Sequence, residues 1–255
     1  MPHVKPVLLT LLCAQLAEPQ EHPTQEEKEK SWYNLDAHRK KQLEFGGGLL
    51  AGITALDAGY VAYKEDGRHK EDKKAHVWAL SKWLRDAQAR RQAYYNGQTQ
   101  GPVAWIYTEG NNIPQNAIPG GQETYNREGR QILYICRAYY EGGMFVGKAS
   151  SVFRPSAIVG FMHEEIHLDK YEILVGDQNA VRWVNVEGEL DLQHLGARPV
   201  EGGKEPHGTP IYIAKAYHNN AEHPGKASTH YGDGCYIPFG NNEVRLRVSH
   251  LARQY

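Results

Sequence analysis

One tetrapeptide occurs twice in this chain: Gly147-Lys148-Ala149-Ser150 returns as Gly225-Lys226-Ala227-Ser228, 78 residues later. The same offset pairs Trp105 with Trp183, Tyr134-Ile135 with Tyr212-Ile213, and Ala138-Tyr139 with Ala216-Tyr217. It also pairs Phe161 with Phe239 and Glu165 with Glu243. A register held from Trp105 to Glu165 marks an internal repeat, which constrains the fold more than any single motif. Residues 103–176 and 181–255 are therefore two copies of one unit.

The repeated part, about 150 residues, is large enough to bury a core without disulfides or metals. The strand-like runs inside it are Ile132 to Ala138 and Tyr171 to Val175 in the first copy, and Ile211 to Ala216 and Val244 to Val248 in the second. They are rich in Tyr, Ile and Val and are separated by Gly, Asn and Pro, the pattern of short antiparallel strands. Two such copies are expected to face each other as a sandwich-like all-β domain over 101–255. Cys136 and Cys235 fall in these strands and are expected to pack as small hydrophobes; with Cys13 they make an odd count of three, which is no disulfide framework.

Gly101-Pro102 separates this region from a helical one. Residues 31–66 carry Phe45, Leu49, Ile53, Leu56, Tyr60 and Tyr63 at steps of three or four, with a parallel stripe of Gly48, Gly52, Ala55, Gly59 and Ala62. The functional readings of that stripe are membrane contact or self-association as a homodimer. The plainer reading is a soluble helix packed closely on a neighbour, favoured by Asp57 and Lys64. A second helix is expected from about Lys70 to Tyr95, with Val77, Leu80, Leu84 and Ala87 on one side and Trp78 and Trp83 flanking them. The fold class is thus α+β: an N-terminal segment and linker at 1–30, a helical hairpin module at 31–100, then the repeats. Before the linker, Val7 to Ala14 form an apolar run too short to span a bilayer. Its single flanking lysine and the absence of a small-x-small cleavage site favour a core-docking helix over a signal peptide, hence a cytoplasmic rather than secreted chain. The formal net charge is -1 and no basic stripe is interleaved with aromatics, so nucleic acid is not a partner to expect.

The residues Trp105 to Pro114, Asn116-Ala117-Ile118, Gly120-Gly121-Gln122-Glu123, Leu133 to Ala138, Gly147-Lys148 and Lys170 to Val175 resemble the DM-nine repeat. That tandem repeat is shared by natterin-type toxins and mannose-binding invertebrate lectins. The resemblance covers 103–255. It implies an all-β fold that binds mannose-type glycans through an acid after the Gly-Gly pair and the lysine after Pro-Gly. Those positions correspond to Glu123 and Lys148 in the first copy and Glu205 and Lys226 in the second. The first copy has Val146 where the second has Pro224, and the second copy lacks the ending that Tyr171 to Val175 supply in the first. The residue types suit the ligand: a carboxylate only accepts hydrogen bonds and an ammonium only donates them, so together they orient a diol whose hydroxyls do both. The ordinary alternative is a surface ion pair worth about 0–1 kcal/mol. The resemblance also carries a further alternative, a defence or toxin-like protein acting on a membrane or partner through its helical module.

A rival chemistry is written at His163-Glu164-Glu165-Ile166-His167, which fits the H-E-x-x-H pattern of zinc proteases, with Glu187 downstream as a third ligand. That site needs a helix, which brings the two histidines one turn apart. In a strand they would stand roughly 13 Å apart along the chain. The repeat register places Asn241 and Arg245 opposite the two histidines, and a strand follows closely, so a strand is expected and no metal. His218, His223 and His230 are expected on the surface or in turns. No phosphate loop and no Ser-His-Asp or Cys-His set is visible, so no cofactor is implied and a non-catalytic role is expected.

Overall fold

The computed structural model describes residues 9–14, 70–99, 101–124, 129–186 and 188–246. The helix expected at 31–66, the linker, Glu187 and the end of the second repeat lie outside the described residues. The chain divides into two compact units. One holds residues 9–14 together with 82–246; the other is 17–81, of which 70–81 are described.

Helix α1 spans Lys70–Tyr95, the bounds its periodicity predicts. It ends in a Schellman motif: Gly97 sits at φ 70, its N–H donates to the Tyr94 carbonyl, and the Gln98 N–H donates to Ala93. From Lys82 onward the helix belongs to the β unit, where Trp83, Leu84 and Ala87 are buried. Trp83 stacks on Tyr139 and meets Tyr107 edge-on, the arrangement aromatic quadrupoles favour.

The first repeat contributes β2 (Val103–Glu109), β3 (Pro119–Thr124), β4 (Arg130–Tyr140), β5 (Gly143–Ala149), β6 (Ala157–Phe161), β7 (Glu164–Leu168) and β8 (Lys170–Gly176). The second contributes β9 (Val181–Val186), β10 (Arg198–Pro199), β11 (Glu201–Lys204), β12 (Pro210–His218), β13 (Ala221–Ala227), β14 (Cys235–Phe239) and β15 (Asn242–Leu246). Strand β1 is Leu9–Ala14, so the apolar N-terminal run is a strand and not the helix expected of it. Two β-branched-poor leucine pairs can form either, and tertiary pairing decides.

That pairing completes the second repeat. In the first repeat β8 lies between β2 and β4: Ile173 opposes Ile106 and Cys136. In the second, β1 lies between β9 and β12: Leu11 opposes Val184 and Ala214. Val184 and Ala214 are the repeat equivalents of Ile106 and Cys136. Leu11 therefore takes the place of Ile173, and the strand missing from the second copy's sequence comes from the other end of the chain. Leu11, Leu12 and Cys13 are fully buried there.

The fold is α+β and mostly strand, but the strands are not two separate facing sheets. The pairings β12–β11, β11–β5, β5–β4, β4–β3, β3–β13 and β13–β12 close a ring of six, three strands from each repeat. Strands β6, β7, β15 and β14 bridge β5 to β13 along a second path. A pseudo-twofold relates the halves and passes where Glu164 opposes Asn242, its own repeat equivalent.

The Gly-Gly pairs make this interleaving feasible. A Cβ at Gly121 would overlap the carbonyl oxygen of Glu222, and one at Gly203 that of Met144, the same contact made reciprocally. A Cβ at Gly120 would meet Pro224, and one at Gly202 would meet Val146. The Val146-for-Pro224 exchange is therefore a packing difference between the two inter-repeat contacts. The doubled tetrapeptide has a like cause: side chains at Gly147 or Gly225 would overlap the carbonyls of Ile158 or Tyr236 on the neighbouring strand. Overpacking of this kind typically costs about 1–3 kcal/mol. Gly203→Ala is expected to lower the urea midpoint accordingly; an unchanged midpoint would show that β11 and β5 do not approach this closely.

Candidate functional site

Each acid reaches its lysine across the ring. Glu123 leaves β3 and Lys148 leaves β5, and Glu123 Oε2 stands 3.8 Å from Lys148 Nζ. In the second repeat Glu205 Oε1 stands 3.5 Å from Lys226 Nζ on β13. Both lysines are only 4% exposed, while the two acid side chains keep 13% and 14% of their surface, so each carboxylate forms the outer edge of its site. A cleft of about 580 Å³ lies elsewhere, lined by Arg91 and Tyr95 of α1 and by Tyr107 and Glu109 of β2. Its Tyr107 hydroxyl already donates to Glu109.

The repeats also share a third acid that the resemblance did not supply. Glu243 Oε1 lies 2.8 Å from Lys226 Nζ, closer than Glu205, and its other oxygen accepts the His163 N–H at 3.2 Å. Glu165, its equivalent, accepts the Asn241 N–H at 2.7 Å. The signal was present in the sequence, because Glu165 and Glu243 keep the repeat register. Each site is also composite. Lys226 lies over the ring of Phe145 from the first repeat and donates to the Gly160 carbonyl at 3.2 Å. Lys148 lies over Phe239 from the second repeat, and His223 Nδ1 is 3.6 Å from Glu123 Oε2.

Burial dominates the electrostatics of the first site. It pushes the Glu123 carboxyl up, with Lys148 opposing and Glu165 adding to the rise. It pushes the Lys148 ammonium down, against the pull of Glu123 and Glu165. His223, expected at the surface, lies on β13 with no exposure; burial and then the Lys148 charge push it down to about 3, so it is neutral. His218 is likewise in a strand, at the end of β12.

The H-E-x-x-H residues form a hairpin. Met162 and His163 take positive φ in the turn, and Glu164 to Leu168 are strand β7. The helical geometry a zinc protease requires is therefore replaced by a β turn, and among the described residues no group of three His, Cys, Asp or Glu is placed to hold a metal. Cys136 and Cys235 are buried in β4 and β14, and burial raises both thiols, Cys235 to about 12. No helix of the described residues is long and apolar enough to cross a membrane.

Two interleaved copies of one seven-strand plan, each holding a buried lysine under an acid, define a pseudo-symmetric tandem-repeat β protein. The family comparison agrees: the DM9 repeat matches residues 91–154 and 128–246, and the chain belongs to the DM9 repeat family. Among solved structures, the nematode sperm cell motility protein MFP2B is similar at 20% identity and a TM-score of 0.42. The similarity covers 57% of this chain and 43% of that one, so this chain spans less than half of that protein's length. No curated protein matches the sequence.

Proposed function

We propose that this chain is a non-catalytic carbohydrate-binding protein that recognises mannose-type glycans through the acid–lysine pairs of its repeats. DM9 repeats are associated with carbohydrate binding, which sets the ligand class. The observation that carries the residue assignment is the meeting of acid and lysine in both copies, Glu123 with Lys148 and Glu205 with Lys226. The first pair lies on separate strands of the ring, β3 and β5; in the second, Glu205 directly follows β11 and Lys226 lies on β13. A partly exposed acceptor over a buried donor matches one diol at a time. Charge-assisted hydrogen bonds contribute about 1.5–3 kcal/mol each, so affinity for a single sugar is modest.

The test is a glycan array probed with the full chain. Mannose-terminated glycans are expected to bind, and a variant carrying Glu123→Gln, Lys148→Met, Glu205→Gln and Lys226→Met is expected to bind none. If that variant keeps the wild-type array profile, the acid–lysine pairs are not the site. Matching far-ultraviolet circular dichroism separates lost binding from lost folding.

A further inference from the structure

The two pairs are alike in sequence but not in what surrounds them. Lys226 is closely surrounded: it donates to the Gly160 carbonyl at 3.2 Å, and the Glu243 and Glu205 carboxylates stand 2.8 Å and 3.5 Å away. Glu205 in turn accepts the Tyr231 hydroxyl. Three oxygens of the protein thus already crowd the Lys226 ammonium, and a sugar hydroxyl would have to displace one of them.

Around Lys148 the same plan is left incomplete. Among the described residues its nearest acid is Glu123 at 3.8 Å, too far for a hydrogen bond. Where Tyr231 donates to Glu205, the equivalent residue near Glu123 is Phe153, which has no hydroxyl to give. The cause of the missing third acid is visible at Gly160, where the space a Cβ would fill is occupied by Glu243 as it reaches for Lys226. The equivalent residue is Pro238, which unlike Gly160 carries a side chain, and Glu165 instead accepts the Asn241 N–H and lies 3.9 Å from His167. Beside Glu123, at 3.6 Å, stands the buried His223, whose ring nitrogens have no hydrogen-bond partner among the described residues; the second site has Phe145 in its place. A buried imidazole without partners is costly to keep. Its cost is offset when a ligand supplies the partners.

Resting on the carbohydrate reading above, we propose that the sugar is taken by the first-repeat site alone, with His223 of the second repeat as a third contact beside Glu123 and Lys148. The second-repeat site is an internal lock that holds β13 and β15 to the first repeat. A neutral imidazole gives one donor and one acceptor, Lys148 gives donors and Glu123 gives acceptors, which together match the mixed character of adjacent hydroxyls. One site per chain also means that a single chain cannot bridge two glycans.

Isothermal titration of methyl α-mannoside into the full chain is expected to give one sugar per chain. His223→Phe, which copies the second site's residue, is expected to weaken binding at least tenfold while the thermal midpoint stays level or rises. A purely structural histidine would move the midpoint and not the affinity. Tyr231→Phe, which removes the hydroxyl that donates to Glu205, is expected to lower the midpoint and leave the affinity within threefold. Two sugars per chain, unchanged affinity in His223→Phe, or loss of binding in a folded Tyr231→Phe chain would overturn the assignment while leaving the carbohydrate reading intact. Silence of the unaltered chain towards the mannoside would overturn that reading, and this proposal with it.

Discussion

Deleting residues 1–16 is expected to unfold the second repeat, and the ring with it, although the deleted residues lie outside both repeats. Leu11, Leu12 and Cys13 are buried between β9 and β12, and Leu11 and Cys13 belong to the cluster that also contains Tyr212, Ile237 and Leu246. Truncating one buried leucine costs about 2–5 kcal/mol, and the deletion removes two of them with the strand's whole hydrogen-bond ladder. A domain's entire stability is about 5–15 kcal/mol. The loss cannot stay local, because β13 pairs with β3 and β11 with β5 across the repeats. Hydrogen exchange should show protection lost throughout 181–246 and weakened in β3 and β5. The topology also predicts a rescue. In the first repeat only Asp169 separates β7 from β8, so grafting residues 7–14 directly after Leu246 should place the same strand in the same slot from the other side. A truncated chain that unfolds in one cooperative step at the wild-type urea concentration would show that β1 is dispensable.

The repeat register foretold much of this architecture. Strands β4 to β7 and β12 to β15 have closely matching bounds at an offset of 78, and α1 keeps the bounds its period gave. What escaped was whatever depended on pairing across a long sequence separation. The apolar run at 7–14 and the truncated ending of the second copy were both visible, yet nothing local says that one fills the gap left by the other. Leu9 to Ala14 hold a single β-branched residue, Thr10, among three leucines, too little to mark a strand. The Gly-Gly pairs were legible as a motif, but their cause is a carbonyl from the opposite repeat. The same blindness hid His223 and Glu243. A histidine among Glu, Pro and Gly has the composition of a turn, and only the closed ring buries it. Glu243 stood in register with Glu165, yet nothing local says that it reaches Lys226.

Glu172 shows the same limit with a larger consequence: Glu172→Ala is expected to destabilise the β unit by about 3–5 kcal/mol, the cost of leaving a buried charge unpaired. The carboxylate has no exposure and accepts from Arg137 Nε at 2.9 Å, Arg90 Nε at 2.7 Å and Trp83 Nε1 at 3.3 Å. It thereby ties α1 to β4 and β8. Arg137 is itself held over Trp105 and donates to the Gly202 carbonyl, so it cannot turn to solvent when its partner is lost. Burial alone would push the Glu172 carboxyl up, but Arg137 and Arg90 outweigh it and hold the group below its ordinary value. The sign for stability follows. The contribution is complete above the unfolded carboxylate range, near pH ~4. It is lost as pH falls through the lower folded value. Glu172→Gln, which keeps the shape and removes the charge, should therefore lie well below wild type in urea stability at pH 7, and the gap should narrow under strongly acid conditions. A gap of equal size at both pH values would mean that side-chain packing, and not the carboxylate's charge, holds α1 to the first repeat. The second repeat has Thr10 at the equivalent place and Lys215 for Arg137, with Lys215 paired instead to Glu222 at 3.0 Å. This charge pair is thus particular to the first repeat, whose Glu172 holds Arg90 and Trp83 of α1.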